Sequence, residues 1–514
     1  MGSEYEQERL KNIEENERLL RELGISSGGA VLGVTPSKRP SDRDGGLARK
    51  RPERKPREKR VLPQRASARL QGVKLESGDQ EPVKPEPAQS AVRASRRHGD
   101  LDLASLAGLE EGECKDLASI LSLDPERRVS PPQSPLEEVL ASMRLTGHTR
   151  VAQKRIYSML YHPTLEKDLI FTGDQEGMLG IWDASSGDAE NGIREGTAYQ
   201  LQVHAKSIGA LRFDPRQQDR VYSGSYDGSI RVFSLGAITS HEIWCGSDDV
   251  QLGEFDILSV DSTSHVIWAA DHRGGLIQID ERSPSSARRW QASTKKIGGM
   301  SVWSREPHCI AAASNDRTVS LFDVRALRTV NETPLAPLKV GDDDPDVARL
   351  CDAARFGKSE YGMACTDVSF SPSGDYLAAL SYDDTVSVWD TAEMYTKKET
   401  GKLTDWLSGA RDGQLNGVLR QPITTLNHNN KTGKWVTLFR ANWHPNAELQ
   451  PHFAIGSMER HAEIYSPDGR LLASLYDPDW VTAIPAVTAM HPQVPGRLAT
   501  GNGSGRCALW SPGA

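Results

Sequence analysis

LGIWDA (179–184), IRVFSL (230–235), LIQIDE (276–281), VSLFDV (319–324), VSVWDT (386–391), AEIYSP (462–467) and CALWSP (507–512) are seven versions of one unit. Each is a short apolar strand that ends in an aromatic or large apolar residue, often followed by Asp. A small-residue strand and a polar turn come before each one: FTGDQEG, YSGSYDG, WAADHRG, AAASNDR, AALSYDD, AIGSMER and ATGNGSG. Further upstream stands another apolar strand with a Pro or Ser turn, such as MLYHP, ALRFDP or RANWHP. Strand, turn, strand, turn with Asp, strand is the inner part of a propeller blade. The Gly and Ala of the middle strand suit the crowding near a channel. The turn aspartates at 174, 227, 271, 316 and 383 can accept hydrogen bonds from turn amides. Seven copies of one unit fit ring closure better than a generic β-sandwich. The expected fold is all-β, a seven-bladed WD-repeat β-propeller over residues 145–514.

Two intervals run long, 67 residues from Phe322 to Trp389 and 76 from Trp389 to Tyr465. The surplus is expected in inserted loops at 326–362 and 392–435. The first contains the acidic run GDDDPD. The second leads into TLNHN–KTG–KWVTL, which reads as two short strands around a Thr-Gly turn, a projecting hairpin.

Outward from the repeats, residues 1–150 read differently. Hydrophobic residues are only 37% of the 514, so part of the chain buries little. Residues 1–24 form an expected amphipathic helix, with Leu10, Ile13, Leu20 and Leu23 near one stripe and Gly24 as its stop. Residues 25–144 are an expected disordered linker. Its segment 38–74 carries 14 Lys or Arg against four acids. The densest part holds Arg49, Lys50, Arg51, Arg54, Lys55, Arg57, Lys59 and Arg60, broken by Pro52 and Pro56. This reads as a nuclear localisation signal, compatible with a phosphate-binding arm. Segment 100–138 reverses the sign, and its leucines at 101, 103, 106, 109, 117, 121 and 123 suggest one or two short helices. Ser130-Pro131 and Ser134-Pro135 resemble proline-directed phosphorylation sites.

The six cysteines are scattered, without zinc-ligand spacing, which argues for a reducing compartment and against a disulfide framework or a metal site. No apolar run is long enough to span a membrane. No P-loop, His-Glu-x-x-His or nucleophile elbow occurs. The turn histidines His162, His444 and His491 read as structural. An enzyme, a cofactor and a small-molecule substrate are therefore not expected; binding is.

Residues leading into each blade's first strand line one mouth of the channel. There the chain carries Lys154 and Arg155, His204 and Lys206, Lys295 and Lys296, Arg440 and Trp480, joined by Lys431, Lys434 and Trp435 of the insertion. These cations gather although residues 151–514 are net acidic. The whole chain is −8 and residues 1–150 carry 27 basic against 25 acidic residues, leaving −10. A basic rim with a projecting Trp suits duplex DNA, since cations neutralise phosphates and an aromatic can wedge into a weakened base step. Ordinary solvated rim lysines and a protein-binding mouth are the competing readings.

RIYSMLYHP, TGDQEGMLGIWD, SGSYDGSIRVF, SNDRTVSLFDVR and above all HNNKTGKWVTLFRANWHP resemble the fungal "changed mutation rate" DNA-damage-binding WD-repeat proteins. The propeller subunit of the UV-damaged-DNA-binding heterodimer is a more distant relation. The resemblance covers residues 4–24 and about 145–512. It implies a nuclear, chromatin-associated protein that prefers UV-damaged duplex, with 430–437 in the position of that subunit's lesion-reading hairpin. The wedge residues differ. Receptors of cullin-4-type ubiquitin ligases resemble the chain in another place, since LFDVR keeps Asp323 and Arg325 of their W-D-x-R and has Phe322 for the Trp. Histones or other chromatin proteins are the expected partners if the protein is a scaffold without direct DNA contact.

Overall fold

The computed structural model describes residues 96–122, 135–214, 217–246, 250–261, 264–327, 354–392, 419 and 421–513. The expected helix over 1–24, the basic segment 38–74, the two Ser-Pro sites and the GDDDPD run lie outside them. Among the described residues seven sheets follow one another in chain order, antiparallel except where Gly147 pairs in parallel with Arg194. Blades 1 to 7 begin on the innermost strands Ile156–Tyr161, Ile208–Phe213, Leu252–Asp261, Ile297–Val302, Cys365–Phe370, Asn442–Trp443 and Val487–Met490. Each quoted repeat supplies its blade's third strand. The ring is closed by Met143–Arg150, which pairs with Arg506–Pro512 as the outer strand of blade 7. Both faces of a blade's middle strands meet neighbouring blades, so side chains pointing either way are buried. Leu169–Asp174, Cys309–Ser314 and Thr318–Asp323 are buried at every residue.

The turn aspartates do what their position suggests. Asp174 Oδ1 accepts from the Glu176 and Met178 amides at 2.8 and 2.9 Å. Asp271 Oδ1 accepts from Arg273 and Gly275 at 2.8 and 2.7 Å. Its other oxygen takes the buried Arg289 guanidinium at 2.7 Å. The turn histidines are structural as well. His162, His444 and His491 each accept a backbone N–H two residues on through Nδ1, at 3.0, 3.2 and 3.0 Å. For His162 and His491, Nε2 faces the carbonyl of the next blade's turn, Gln218 at 3.1 Å and Thr164 at 2.8 Å.

Three expectations change. First, both insertions contain their blade's outer strand, Arg355–Glu360 in blade 4 and Thr424–Asn427 in blade 5. Second, no hairpin forms: Thr424–Asn427 pairs with Thr385–Asp390, and residues 428–441 run on as an irregular loop into blade 6. Third, the linker's end is part of the propeller. Leu101–Asp102 adds a fifth strand to blade 2, pairing with Thr239 and Ser240. Helices Leu103–Ala107 and Glu111–Leu121 bury Leu103, Leu117 and Leu121 against blades 1 and 2, and helix Leu136–Ala141 buries Leu140 beside blades 6 and 7. The helices the leucine pattern suggested are there, but docked.

Candidate nucleic-acid interface

One face of the ring collects the loops that lead into each blade and the turns joining second to third strands. Backbone hydrogen bonds tie the two sets together. Gln175 N donates to Arg155 O at 2.9 Å, Tyr226 N to Ser207 O at 3.0 Å, Asn315 N to Lys296 O at 2.9 Å and Tyr382 N to Ala364 O at 3.0 Å. Antiparallel connectivity therefore brings the lead-in cations onto a common surface.

Their environments differ. Lys206 and Lys295 are exposed and carry no ion pair among the described residues. Lys296 is half-buried, its Nζ 5.0 Å from the Tyr226 ring centroid and 2.5 Å from its hydroxyl. Lys154 pairs with Glu176 at 3.3 Å, and Lys431 pairs with Asp384, so part of the expected charge is compensated locally. Trp480 is half-buried with its ring edge on His148, 5.4 Å between centroids.

His204 does not join the face. It is buried, with Nε2 2.8 Å from Ser223 Oγ and Nδ1 3.0 Å from Ser229 Oγ and 3.3 Å from Asp227 Oδ2. Burial pushes the Asp227 carboxyl up, but hydrogen bonds from His204, Ser229 and the Ala205 amide outweigh it and hold the group well below the carboxylate range. The histidine welds blade 2 and is unavailable to a ligand.

Arg440 is not on the rim either. It lines the central channel, a cavity of about 80 Å3, with Arg212, Asp367, Tyr157, Met300 and Thr488 among its walls. Its Nη1 stands 3.7 Å from Asp367 Oδ1. Burial, then the neighbouring Arg212 charge, lowers Arg440 to about 10, so it stays cationic at neutral pH. Burial raises Asp367 to about 7, although Ala441 N donates to its Oδ2 at 3.2 Å. Arg212 sits mid-strand in LRF and had no signal beyond its blade register.

The loop 428–441 is the most distinctive element of the face. Asn430 pins its start, donating from Nδ2 to Ser381 O and Thr385 O, both at 2.9 Å. Gly433 turns it in the left-handed region, φ 60°. Thr437 Oγ1 donates to Ile156 O at 2.7 Å, and Phe439 is buried among blades 5 and 6. Between these anchors Arg155 Nη1 donates to Lys434 O at 3.0 Å. Trp435 is left 76% exposed, with Lys434 Nζ 5.4 Å from its ring. The indole therefore faces water on a loop held at both ends and adds nothing to the core.

On the opposite face Arg325 forks onto Asp323, Nε to Oδ1 at 3.0 Å and Nη2 to Oδ2 at 2.9 Å. Blade 3 repeats that geometry with Arg282 on Asp280, at 3.0 and 2.8 Å, which the sequence reading overlooked because the aromatic is Ile279 there. His98, Glu242 and Cys245 lie close enough to share a metal ion. Arg96 approaches the Cys245 sulfur at 3.3 Å and Arg231 the Glu242 carboxylate at 3.5 Å, so two guanidiniums oppose a cation there.

The WD domain, G-beta repeat model matches residues 197–234 and 358–390. The DNA damage-binding protein CMR1 of Mycosarcoma maydis is 39% identical, with 99% of each chain covered. Proteins of the same name from Phaeosphaeria nodorum and Neurospora crassa are 31% and 30% identical, over 99% of this chain and 98% of theirs. With identity of that order running from end to end of a seven-bladed ring, the chain belongs to the CMR1 family of WD-repeat proteins.

Proposed function

We propose that the protein binds duplex DNA across the face bearing Lys206, Lys295, Lys296, Lys434 and Trp435, with preference for UV-damaged duplex, and serves nuclear DNA metabolism. The observation that carries the reading is Trp435, 76% exposed beside Lys434 on a loop clamped to blades 1 and 5. The relatives' name supports it, since each is called a DNA damage-binding protein. The cations neutralise phosphates and fix register; the indole stacks where a lesion has weakened a base step. No step of this needs a cofactor or a reaction, so binding is the activity. The basic run from Arg49 to Arg60 would direct the chain to the nucleus.

The test is a titration of intact and UV-irradiated duplex at 50 and 200 mM salt, with wild type, Lys295→Glu/Lys296→Glu and Trp435→Ala. Neutralising two phosphate contacts lowers the salt slope by roughly 2. The lysine pair is expected to weaken both duplexes alike, and Trp435→Ala to erase the preference for irradiated DNA. A wild type with no affinity near physiological salt ends the DNA reading in favour of a histone- or chromatin-binding scaffold.

A second reading concerns the other face. Arg325 keeps 46% of its side chain exposed while anchored on Asp323, a pre-oriented cation suited to a cullin-4-type ligase adaptor. Loss of adaptor capture in Arg325→Ala, with DNA binding intact, would separate the two faces.

A further inference from the structure

In the turn joining second to third strand, the fourth residue is left-handed in every blade, and its carbonyl generally accepts from the end of the outer strand. Glycine holds the position in blades 1, 2, 3 and 7, as Gly177, Gly228, Gly274 and Gly505, with φ from 81° to 84°. A Cβ at those sites would collide with the carbonyls of His204, Val250, Ser293 and Ala152. Blades 4, 5 and 6 carry Arg317, Asp384 and Arg460 instead, at φ 74°, 64° and 69°. Arg317 O accepts Tyr361 N and Asp384 O accepts His428 N, both at 2.9 Å, just as Gly228 O accepts Gly246 N at 2.9 Å, so the positions are equivalent.

A branched-out L residue in this region is strained, and strain of this kind persists where something else uses the side chain. Asp384 has such a use within the fold: it accepts the Asn430 amide at 3.1 Å and pairs with Lys431. The two arginines do not. Both are exposed and neither makes an ion pair among the described residues; Arg460 only lies over the Tyr476 ring, 5.9 Å from its centroid. Glycine would relieve the strain at either position, yet a cation stands there. Arg317 shares its blade's rim with Lys295 and Lys296, and Arg460 extends the rim to blade 6.

We propose that Arg317 and Arg460 are phosphate-contacting residues, which carry the DNA track across blades 4 to 6 on the Trp435 face. This rests on the DNA-binding reading above. The experiment uses the full chain, the intact duplex at 50 and 200 mM salt, and the variants Arg317→Gly, Arg460→Gly and the pair, with Arg282→Ala on the opposite face as the charge control. Two lost contacts lower the slope by about 1.8, so the wild-type loss of affinity between the two salts should shrink by about tenfold in the pair. The glycine variants should melt at the wild-type temperature or above it, because glycine adopts this φ freely. Arg317→Asn/Arg460→Asn, which also tolerates the left-handed region, should reproduce the slope if a glycine variant fails to fold. Wild-type slope and affinity in the pair, while Lys295→Glu/Lys296→Glu still weakens binding, overturn the proposal and leave the DNA reading standing. No binding by wild type overturns both.

Discussion

His204 leads into a lysine-bearing loop, yet its ring turns inward, because its partners Ser223, Asp227 and Ser229 lie 19 to 25 residues downstream in the same blade. Removing it leaves three buried polar groups short of a partner, and buried groups without hydrogen bonds are costly. His204→Ala should therefore cost about 2–4 kcal/mol of stability. The measurement is thermal unfolding together with DNA titration below the melting range. A lower Tm with wild-type affinity fits a structural histidine, whereas lost affinity at unchanged Tm would return His204 to the interface. Trp435 is the opposite case, a large apolar side chain whose truncation exposes nothing new. The sequence assigns both residues to the same channel mouth, His204 in a lead-in segment and Trp435 in the insertion. Which way each points depends on hydrogen-bond partners that periodicity does not reveal.

At the level of turns and strands, the His-Pro corners make the fold sensitive to acid. Burial pushes His162 and His491 down to about 4 and His444 to about 3, and each Nδ1 accepts a backbone N–H that a proton there would displace. The folded values lie below the unfolded value near 6.5, so the neutral rings contribute fully above that pH. The contribution is lost as pH falls from about 6.5 to about 4, about 3 kcal/mol each for His162 and His491. Melting curves from pH 7.5 to 4.5 should fall steeply, and His162→Gln/His491→Gln should flatten that fall; an unchanged pH slope would assign the acid sensitivity elsewhere. These corners were legible because His-Pro recurs at a fixed place in the repeat. The inner three strands of each blade were legible for the same reason, being buried on both faces. Arg355–Glu360 was not, and Thr424–Asn427 reads as a strand but of a hairpin instead of blade 5, since an outer strand is half-exposed and its pattern is weak: Thr424–Asn427 alternates between half-buried and exposed without one fully buried residue. The loop 428–441 looked like a hairpin because Thr-Gly is a turn signal. Its start is instead held on blade 5 by Asn430 and its second limb on blade 1 by Thr437, so the two limbs do not pair with each other.

For the molecule as a whole, closure of the ring does not account for everything that holds blades 1 and 2 together. Residues 96–121 run along the edge of blade 2 and cover apolar side chains that the ring alone would expose, packing Leu101, Leu103, Leu117 and Leu121 with Leu169, Phe171, Leu235 and Ile238. Arg231, buried beside Ser240, also depends on this segment, since its guanidinium donates to the carbonyls of Arg97 at 3.2 Å and Gly99 at 2.5 Å. Such a segment reads as linker because its partners lie far along the chain, from about fifty residues away in blade 1 to more than a hundred in blade 2. A chain starting at residue 135 should therefore melt well below one starting at residue 96. The point variant Leu117→Ala, which leaves the chain whole and opens a cavity at a fully buried site, should cost about 2–5 kcal/mol. Differential calorimetry on the three chains checks both. Equal melting temperatures for the two truncations, with Leu117→Ala neutral, would mean that the strap only rests on the ring. A matched fall would make it part of the propeller's core, and any DNA titration on a chain begun after it would then report a destabilised ring rather than the interface.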